Sequence, residues 1–504
     1  MRRSAIPFAA LLFATLIFRL PPLLNAAGVG SDAAIVGLQA RHMLRGELSP
    51  FLWGAGYQGS LEAALLAVAF AVAGASPLVL MLVPLCGHLL LTWFVFDVLR
   101  KKLPPASAAL AALPVVLTPQ AISGVALYAP RQWCITFVFA GLWLIDGASS
   151  AKRPWLRIMS GVTVAVLSLY LDLYALLFLP GLGLFSALCC LDPTAAGQRV
   201  VRTTAAATGA ALGAFGVWLP RQLGSGSPTE TALSVHNIAQ NFHLLWEQCL
   251  PWVLGYGVFI PGKNLYPDLW EPPAPVRWFQ ILGAVSLVVA IGLGALWLFW
   301  RKLEWPLRRL APVAFVVSAS SIGGFLFSGM PSNMWSARYL APIVWTAPFA
   351  LAPLAALLST RRLALAVAPY LTVAALGGWL SYGLYVRGPL PVLDPRGVAA
   401  DEQQVADFLR ARGVHHAAAQ YWLSYRLSFL YGEDPLVIPI SPSDDRYPPY
   451  REQFDRARRV AYVFHPSEPR ARIEEYEPWV RAQGWQVERA EVAGFSMLLV
   501  ERPR

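Results

Sequence analysis

The chain has 504 residues, 56% of them hydrophobic and 14% charged, with a formal net charge of +11 at pH 7. Such a composition excludes an ordinary soluble domain and predicts a polytopic membrane protein. Residues 1–387 carry 25 Lys and Arg against 12 acids, while 388–504 carry 15 Arg against 17 acids, so the basic excess is no nucleic-acid footprint.

Apolar runs near the length of a bilayer crossing predict about eleven spans, at 5–24, 77–99, 106–122, 132–147, 156–171, 173–190, 203–220, 276–300, 310–328, 338–358 and 363–386. The run 60–75 is shorter and opens with Ser60 and Glu62, so it reads as a re-entrant or interfacial helix. With Arg2 and Arg3 inside, every predicted inner loop carries basic residues: Arg100–Lys102, Lys152–Arg157, Arg199–Arg202, Arg301–Arg309 and Arg361–Arg362. The outer segments are then 25–76, 123–131, the turn at Asp172, the long loop 221–275, 329–337 and everything from 388. The N-terminus reads as a retained first span and not as a cleaved signal.

The first outer loop, 25–76, holds the most informative stretch. Ser31 and Asp32 read as N-cap residues for a helix. On that helix Val36, Ala40, Met43 and Leu44 share one face, and Arg41, His42 and Arg45 another. A basic amphipathic helix beside a span is expected to lie flat at the membrane surface. Asp32 then stands at the lipid–water boundary next to cationic side chains, an arrangement suited to a lipid-linked phosphate.

The C-terminal region changes character. Helices are predicted at 401–412 and 468–483, and strands at 417–422, 436–440, 459–465 and 496–501, giving a small α/β domain outside the membrane. GPLPVLDPRG before it reads as a linker. The domains are therefore 1–387, embedded in the membrane, and 388–504, soluble.

Asp32 admits two readings, a general base or a plain helix cap. At a helix N-terminus its charged form is favoured, and an ionised carboxylate can take a proton from an attacking hydroxyl. Glu62, with Tyr57 and Gln58 before it, could bind a sugar or open its helix together with Ser60. Arg41 and His42 are further candidates for substrate binding. Asp172, in LSLYLDLYALL, reads as a turn residue. Arg338 and Tyr339, in MPSNMWSARYLAP, enter a span from the outer side, where the inside bias of basic residues does not account for an Arg. Arg338 and Arg131 are thus candidates for a phosphate, which Arg can hold bidentately. His236, His243 and Lys263 lie in the long loop and read as surface residues. RYPPY at 446–450 reads as a polar, Pro-rich turn of the outer domain, which could touch the acceptor or be a rigid surface loop. Cys86, Cys134, Cys189, Cys190 and Cys249 show no disulfide framework and no metal-ligand spacing. No nucleotide-binding, zinc or Ser-His-Asp signature is present.

GSDAAIVGLQARHMLRGE followed by AGYQGSLEAALLAVAFAVAG resembles the first outer loop of bacterial GT-C glycosyltransferases, the superfamily of protein O-mannosyltransferases and lipid A aminoarabinose transferase. SARYLAPIVW resembles their later Arg-Tyr span start. The likeness is greatest to family-39-like bacterial membrane proteins with an outer C-terminal domain. It implies inverting transfer of a sugar from a polyprenyl-phosphate donor to an acceptor hydroxyl, on a glycan, lipid or protein, at the outer face of the bacterial cytoplasmic membrane. It makes Asp32 the base and sets Arg338 against the donor phosphate. The chain departs from the family at two places. Asp32 is followed by Ala33 where the family often has a second acid, and YAPRQW offers Arg131 and Gln132 where it often has another. Paired acids therefore do not support a divalent metal, and a non-catalytic glycan- or lipid-phosphate-binding protein of the same fold is the alternative.

Overall fold

The computed structural model describes residues 2–24, 26–123, 131–223, 235–260, 268–385, 399–465 and 471–503. The expected linker at 388–397, most of the second outer loop and Lys263 lie outside the described residues. The chain divides into two compact units that interleave along the sequence. One comprises Met1–Leu20, Pro84–Ile260 and Leu269–Tyr382; the other includes Pro21–Val83 and Gly383–Arg504.

Among the described residues nine helices are long and apolar enough to cross a membrane: Ala5–Leu24, Pro77–Arg100, Gln132–Ser150, Pro154–Leu171, Ala196–Leu223, Ala274–Trp297, Trp305–Leu326, Met334–Leu357 and Thr360–Trp379. They coincide with nine of the eleven expected runs. The other two are interrupted. Residues 106–122 break into the helix Pro105–Ala112, the 3-10 turn Leu113–Val115 and the short helix Gln120–Ser123. Pro114 and Pro119 account for this, since each removes a helical N–H. Residues 173–190 break into a 3-10 turn, Leu173–Leu177, and the helix Leu179–Cys190. The Asp172 side chain caps that turn, accepting from the Tyr174 N–H at 2.8 Å, which starts a new element where hydropathy sees one run.

Met334–Leu357 is the innermost of the long helices, with Trp345, Phe349 and Ala350 fully buried. Ala274–Trp297 turns Leu282, Val285, Val288, Val289 and Leu296 outward, as a lipid-facing helix does. Several basic residues of the expected inner loops are not merely topological charge. Lys102 Nζ lies 2.6 Å and Arg309 Nη2 3.2 Å from the two oxygens of Asp146, and Arg309 also faces Asp192 at 3.6 Å. Lys102, Asp146 and Arg309 have side chains no more than 7% exposed. These ties join four segments that are far apart in sequence.

The second unit contains a five-stranded sheet in the order Leu436–Pro439, His416–Ala419, Arg459–Phe464, Phe495–Glu501, Gln486–Val492. The first three strands are parallel and the last two pairings antiparallel. Val405, Leu409, Leu423, Leu427, Val437, Val463, Phe495 and Met497 form its core. Gln486–Val492 is a charged edge strand that the sequence reading omits, because its apolar alternation is weak. The strand expected at 417–422 stops at Ala419, and Gln420 caps a new helix, Tyr421–Leu430, by accepting from Trp422 N at 2.7 Å. Likewise RYPPY does not stay a turn. Pro448 starts the helix Pro448–Arg456, where its missing N–H costs nothing.

The helix Ser31–Leu44 belongs to this unit and is not the flat surface helix expected. Ala33 through Ala40 and His42 are all buried. It packs between the helices Leu61–Ala73 and Tyr421–Leu430. Gly37 allows the close approach: a Cβ there would lie 2.5 Å from a ring carbon of Phe429. The helix Leu61–Ala73 has thirteen residues, fewer than a bilayer crossing needs.

Candidate active site

Asp32 is the second residue of its helix. Extended Gly30 is the N-cap, and no side chain caps it, so neither Ser31 nor Asp32 is the cap expected. Ser31 instead donates its hydroxyl to the backbone oxygen of Tyr421 at 2.6 Å, joining the starts of two helices. This leaves the Asp32 carboxylate at the positive end of a fourteen-residue helix without the geometry of a cap.

The Tyr421 hydroxyl donates to Asp32 Oδ1. Arg446 Nη2 lies 4.0 Å from the same oxygen, and Arg446 Nε donates to the Tyr421 hydroxyl at 3.2 Å. Arg446 is itself anchored, with Nη1 donating to the Gly54 carbonyl at 2.7 Å and its backbone N–H to the Tyr425 hydroxyl at 2.6 Å. Gly54, with φ +62, forms the turn between the strands Phe51–Leu52 and Ala55–Gly59. A Cβ on it would meet Arg446 Cδ at 2.5 Å and Cα at 2.7 Å, so both the turn and the arginine require glycine there. Burial pushes the Tyr421 phenol well above its usual range, and the neighbouring Asp32 charge adds to this. Tyr421 thus stays protonated and stays a donor. Burial works against the charge on Arg446, but Tyr421 and Asp32 outweigh it and the net shift is upward. Tyr57 adds to that field.

A pocket of about 250 Å³ opens here, lined by Gly54, Tyr421, Ser443, Asp444, Asp445 and Arg446. Its walls offer hydroxyl, carboxylate and guanidinium groups, which suits a polar, hydroxylated molecule. Asp445 is already held by Arg451, at 2.8 and 2.9 Å. Among the described residues no group of three or more His, Cys, Asp or Glu is placed to hold a metal ion.

Arg41 and His42, expected to face substrate, are instead joined to the C-terminal part of the same unit. Arg41 Nη1 donates to the Phe429 carbonyl at 2.8 Å and its guanidinium stacks over that ring. His42 is buried between two carboxylates, Glu47 at 2.9 Å from Nδ1 and Glu433 at 2.7 Å from Nε2. Tyr450 and Tyr447 donate to Glu433 and Glu47, at 2.6 and 2.7 Å. Neither Arg41 nor His42 lines the pocket. Burial opposes charge on His42, but its hydrogen bonds to Glu433 and Glu47 outweigh it and raise its pKa. Burial likewise opposes charge on Glu433, yet His42 and Tyr450 hold it down at about 2.

These shifts predict a stability window. The Glu433 contribution, roughly 2–3 kcal/mol, is present above the usual carboxylate range and lost as pH falls toward 2. The His42 contribution is present below about 6.5 and lost as pH rises through its raised value. Thermal unfolding in detergent should therefore show a maximum between about pH 4.5 and 6.5, and His42→Gln should flatten the alkaline side. A wild-type profile with the same alkaline slope as His42→Gln would contradict this.

Glu62 is buried at the start of Leu61–Ala73, where Ser60 gives its hydroxyl to the Ser49 carbonyl at 2.5 Å and does not cap the helix with it. Gln58 is buried and Tyr57 half-buried on the strand Ala55–Gly59. In the membrane unit, Arg131 Nε donates to Asp172 Oδ2 at 2.9 Å, and its guanidinium lies over the Tyr174 ring. That pairing competes with the phosphate role expected of it. Arg338 differs. Among the described residues its Nε is buried without a hydrogen-bond partner. Its Nη2 donates to the Tyr339 hydroxyl at 3.2 Å, and its carbonyl accepts from Tyr174 at 2.9 Å. His236 and His243 are exposed.

No protein-family model and no curated protein matches the chain. Solved structures do. The structure of ArnT from Cupriavidus metallidurans bound to undecaprenyl phosphate superposes with a TM-score of 0.60 at 13% identity, over 98% of this chain and 97% of that one. The chain has the ArnT-like GT-C fold. The apo state of the same ArnT matches over the same shares, with a TM-score of 0.55 at 12% identity. An oligosaccharyltransferase from Archaeoglobus fulgidus is also similar, at 11% identity and a TM-score of 0.48, over 90% of this chain and 67% of its own. With this fold and its long apolar helices, the chain is a multi-pass membrane protein.

Tyr421 and Arg446 are the partners of Asp32 that the sequence does not single out. The sequence reading sets Tyr421 at the end of a strand and Arg446 in a turn with a possible acceptor contact, and no local pattern links either to Asp32.

Proposed function

We propose that the protein moves a sugar from a polyprenyl-phosphate donor to an acceptor hydroxyl, with inversion and with Asp32 as base. The observation that carries this reading is the Asp32 carboxylate at a helix start, held by Tyr421 and Arg446 beside an open polar pocket. The fold is shared with a protein whose structure holds undecaprenyl phosphate. Asp32 takes the proton of the acceptor hydroxyl as its oxygen bonds to the anomeric carbon. The bond from that carbon to the phosphate oxygen breaks, its electron pair stays on the phosphate, and polyprenyl phosphate leaves. The leaving group arrives already activated as a phosphate ester, so the displacement needs the base, the acceptor and the donor. Arg338, with its unused buried Nε and Tyr339 beside it, is the residue offered to the donor phosphate. The reading places the protein in the bacterial cytoplasmic membrane, N-terminus inside and C-terminal region outside, as the basic inner loops favour.

The test is incubation of the purified protein with a panel of labelled undecaprenyl-phosphate sugars. Release of undecaprenyl phosphate with transfer of label is the expected result. Binding of the lipid phosphate with no turnover of any donor would refute it and favour a glycan- or lipid-phosphate-binding protein.

A further inference from the structure

We infer that Tyr421 and Arg446 are positioning residues for Asp32, so that the C-terminal region supplies part of the active site. This rests on the reading of Asp32 as the base. Three features support it. First, the contact is built from both main chain and side chain: Ser31, next to Asp32, is tied to the Tyr421 carbonyl, while the Tyr421 hydroxyl is tied to the Asp32 carboxylate. The carboxylate cannot turn without breaking a bond to a helix that is itself fixed. Second, Arg446 has little freedom. It is anchored to the Gly54 carbonyl, the Tyr421 hydroxyl and the Tyr425 hydroxyl, and its cation faces Asp32 Oδ1. An exposed arginine paired by chance does not need a glycine at the opposing turn to make room for it, whereas Arg446 does. Third, Tyr421 and Arg446 also line the pocket, so one pair of side chains touches both the carboxylate and the space where a polar ligand fits.

The consequence is chemical. The Tyr421 hydroxyl and the Arg446 guanidinium both meet Oδ1 of the carboxylate and hold that oxygen in place. They also fix the plane of the carboxylate toward the acceptor, where a small misplacement is costly. Losing the Tyr421 donor removes a hydrogen bond to the carboxylate and leaves it free to turn away from the acceptor.

The experiment uses the full-length protein in lipid nanodiscs and reads kcat and KM of sugar transfer separately, with thermal unfolding as the control for folding. In Tyr421→Phe kcat should fall about tenfold with KM little changed. Arg446→Met should lower kcat in the same way, and Arg446→Lys should restore most of it. An unchanged kcat in Tyr421→Phe and Arg446→Met, beside normal turnover by wild type, would overturn the assignment, even with lowered thermal stability. A wild-type protein that turns over no donor would instead refute glycosyl transfer, the reading on which the assignment rests.

Discussion

Asp32→Asn should reduce sugar transfer by about 10²–10⁴-fold while leaving the protein folded and inserted. The substitution keeps shape and keeps an oxygen able to accept from Tyr421, so the joint between the two helices through Ser31 is untouched. What it removes is the ability to take a proton. The acceptor hydroxyl is a poor nucleophile unless its proton leaves as the new bond forms, and this loss falls on kcat more than on KM. Initial rates in proteoliposomes, with thermal unfolding as the control for folding, measure it. Transfer within about threefold of wild type would remove Asp32 from the mechanism.

Asp146→Ala should be the most damaging single change to stability, at about 3–5 kcal/mol. The carboxylate lies between Lys102 and Arg309, and all three side chains are almost fully enclosed. Removing it leaves two cations in the interior, where among the described residues Asp192, at 3.6 Å from Arg309, is the one remaining carboxylate partner. The contrast is Arg456→Ala. Its partner Glu452 is 3.3 Å away, but the side chains are 81% and 62% exposed, and water screens the pair. That change should stay within about 0.5 kcal/mol of wild type. Unfolding in detergent, run on both variants, compares them. Equal midpoints would mean that the buried network contributes nothing that the surface pair does not.

The membrane architecture was legible because a bilayer makes a one-dimensional demand. Twenty apolar residues in a row have few other uses, and nine such runs became long helices. The two runs that broke did so at Pro114, Pro119 and the Asp172 cap, where local chemistry overrides an averaged hydropathy. Asp32 stands out as a candidate for a related reason: it is a lone acid at the edge of an apolar segment. Its partners do not. Tyr421 lies 389 residues further along, and nothing in its neighbourhood marks it for Asp32. The same limit explains Arg41 and His42. Periodicity gave their helix one apolar and one cationic face, and a helix with two faces reads as lying at a surface. The cationic face is in fact covered by Phe429, Glu433 and Tyr450, residues that arrive only when the C-terminal region folds onto it. A pattern in one segment says which face is polar, but not whether water, lipid or another part of the chain will cover it.

The most direct measurement follows the anomeric carbon. Wild type and Asp32→Asn, reconstituted side by side, are given undecaprenyl-phosphate sugars labelled with ¹³C at that carbon, and the products are read by NMR. Transfer by wild type with inverted configuration, and its loss in the variant, is the predicted result. A product of retained configuration, or equal transfer by both proteins, would contradict direct displacement with Asp32 as the base.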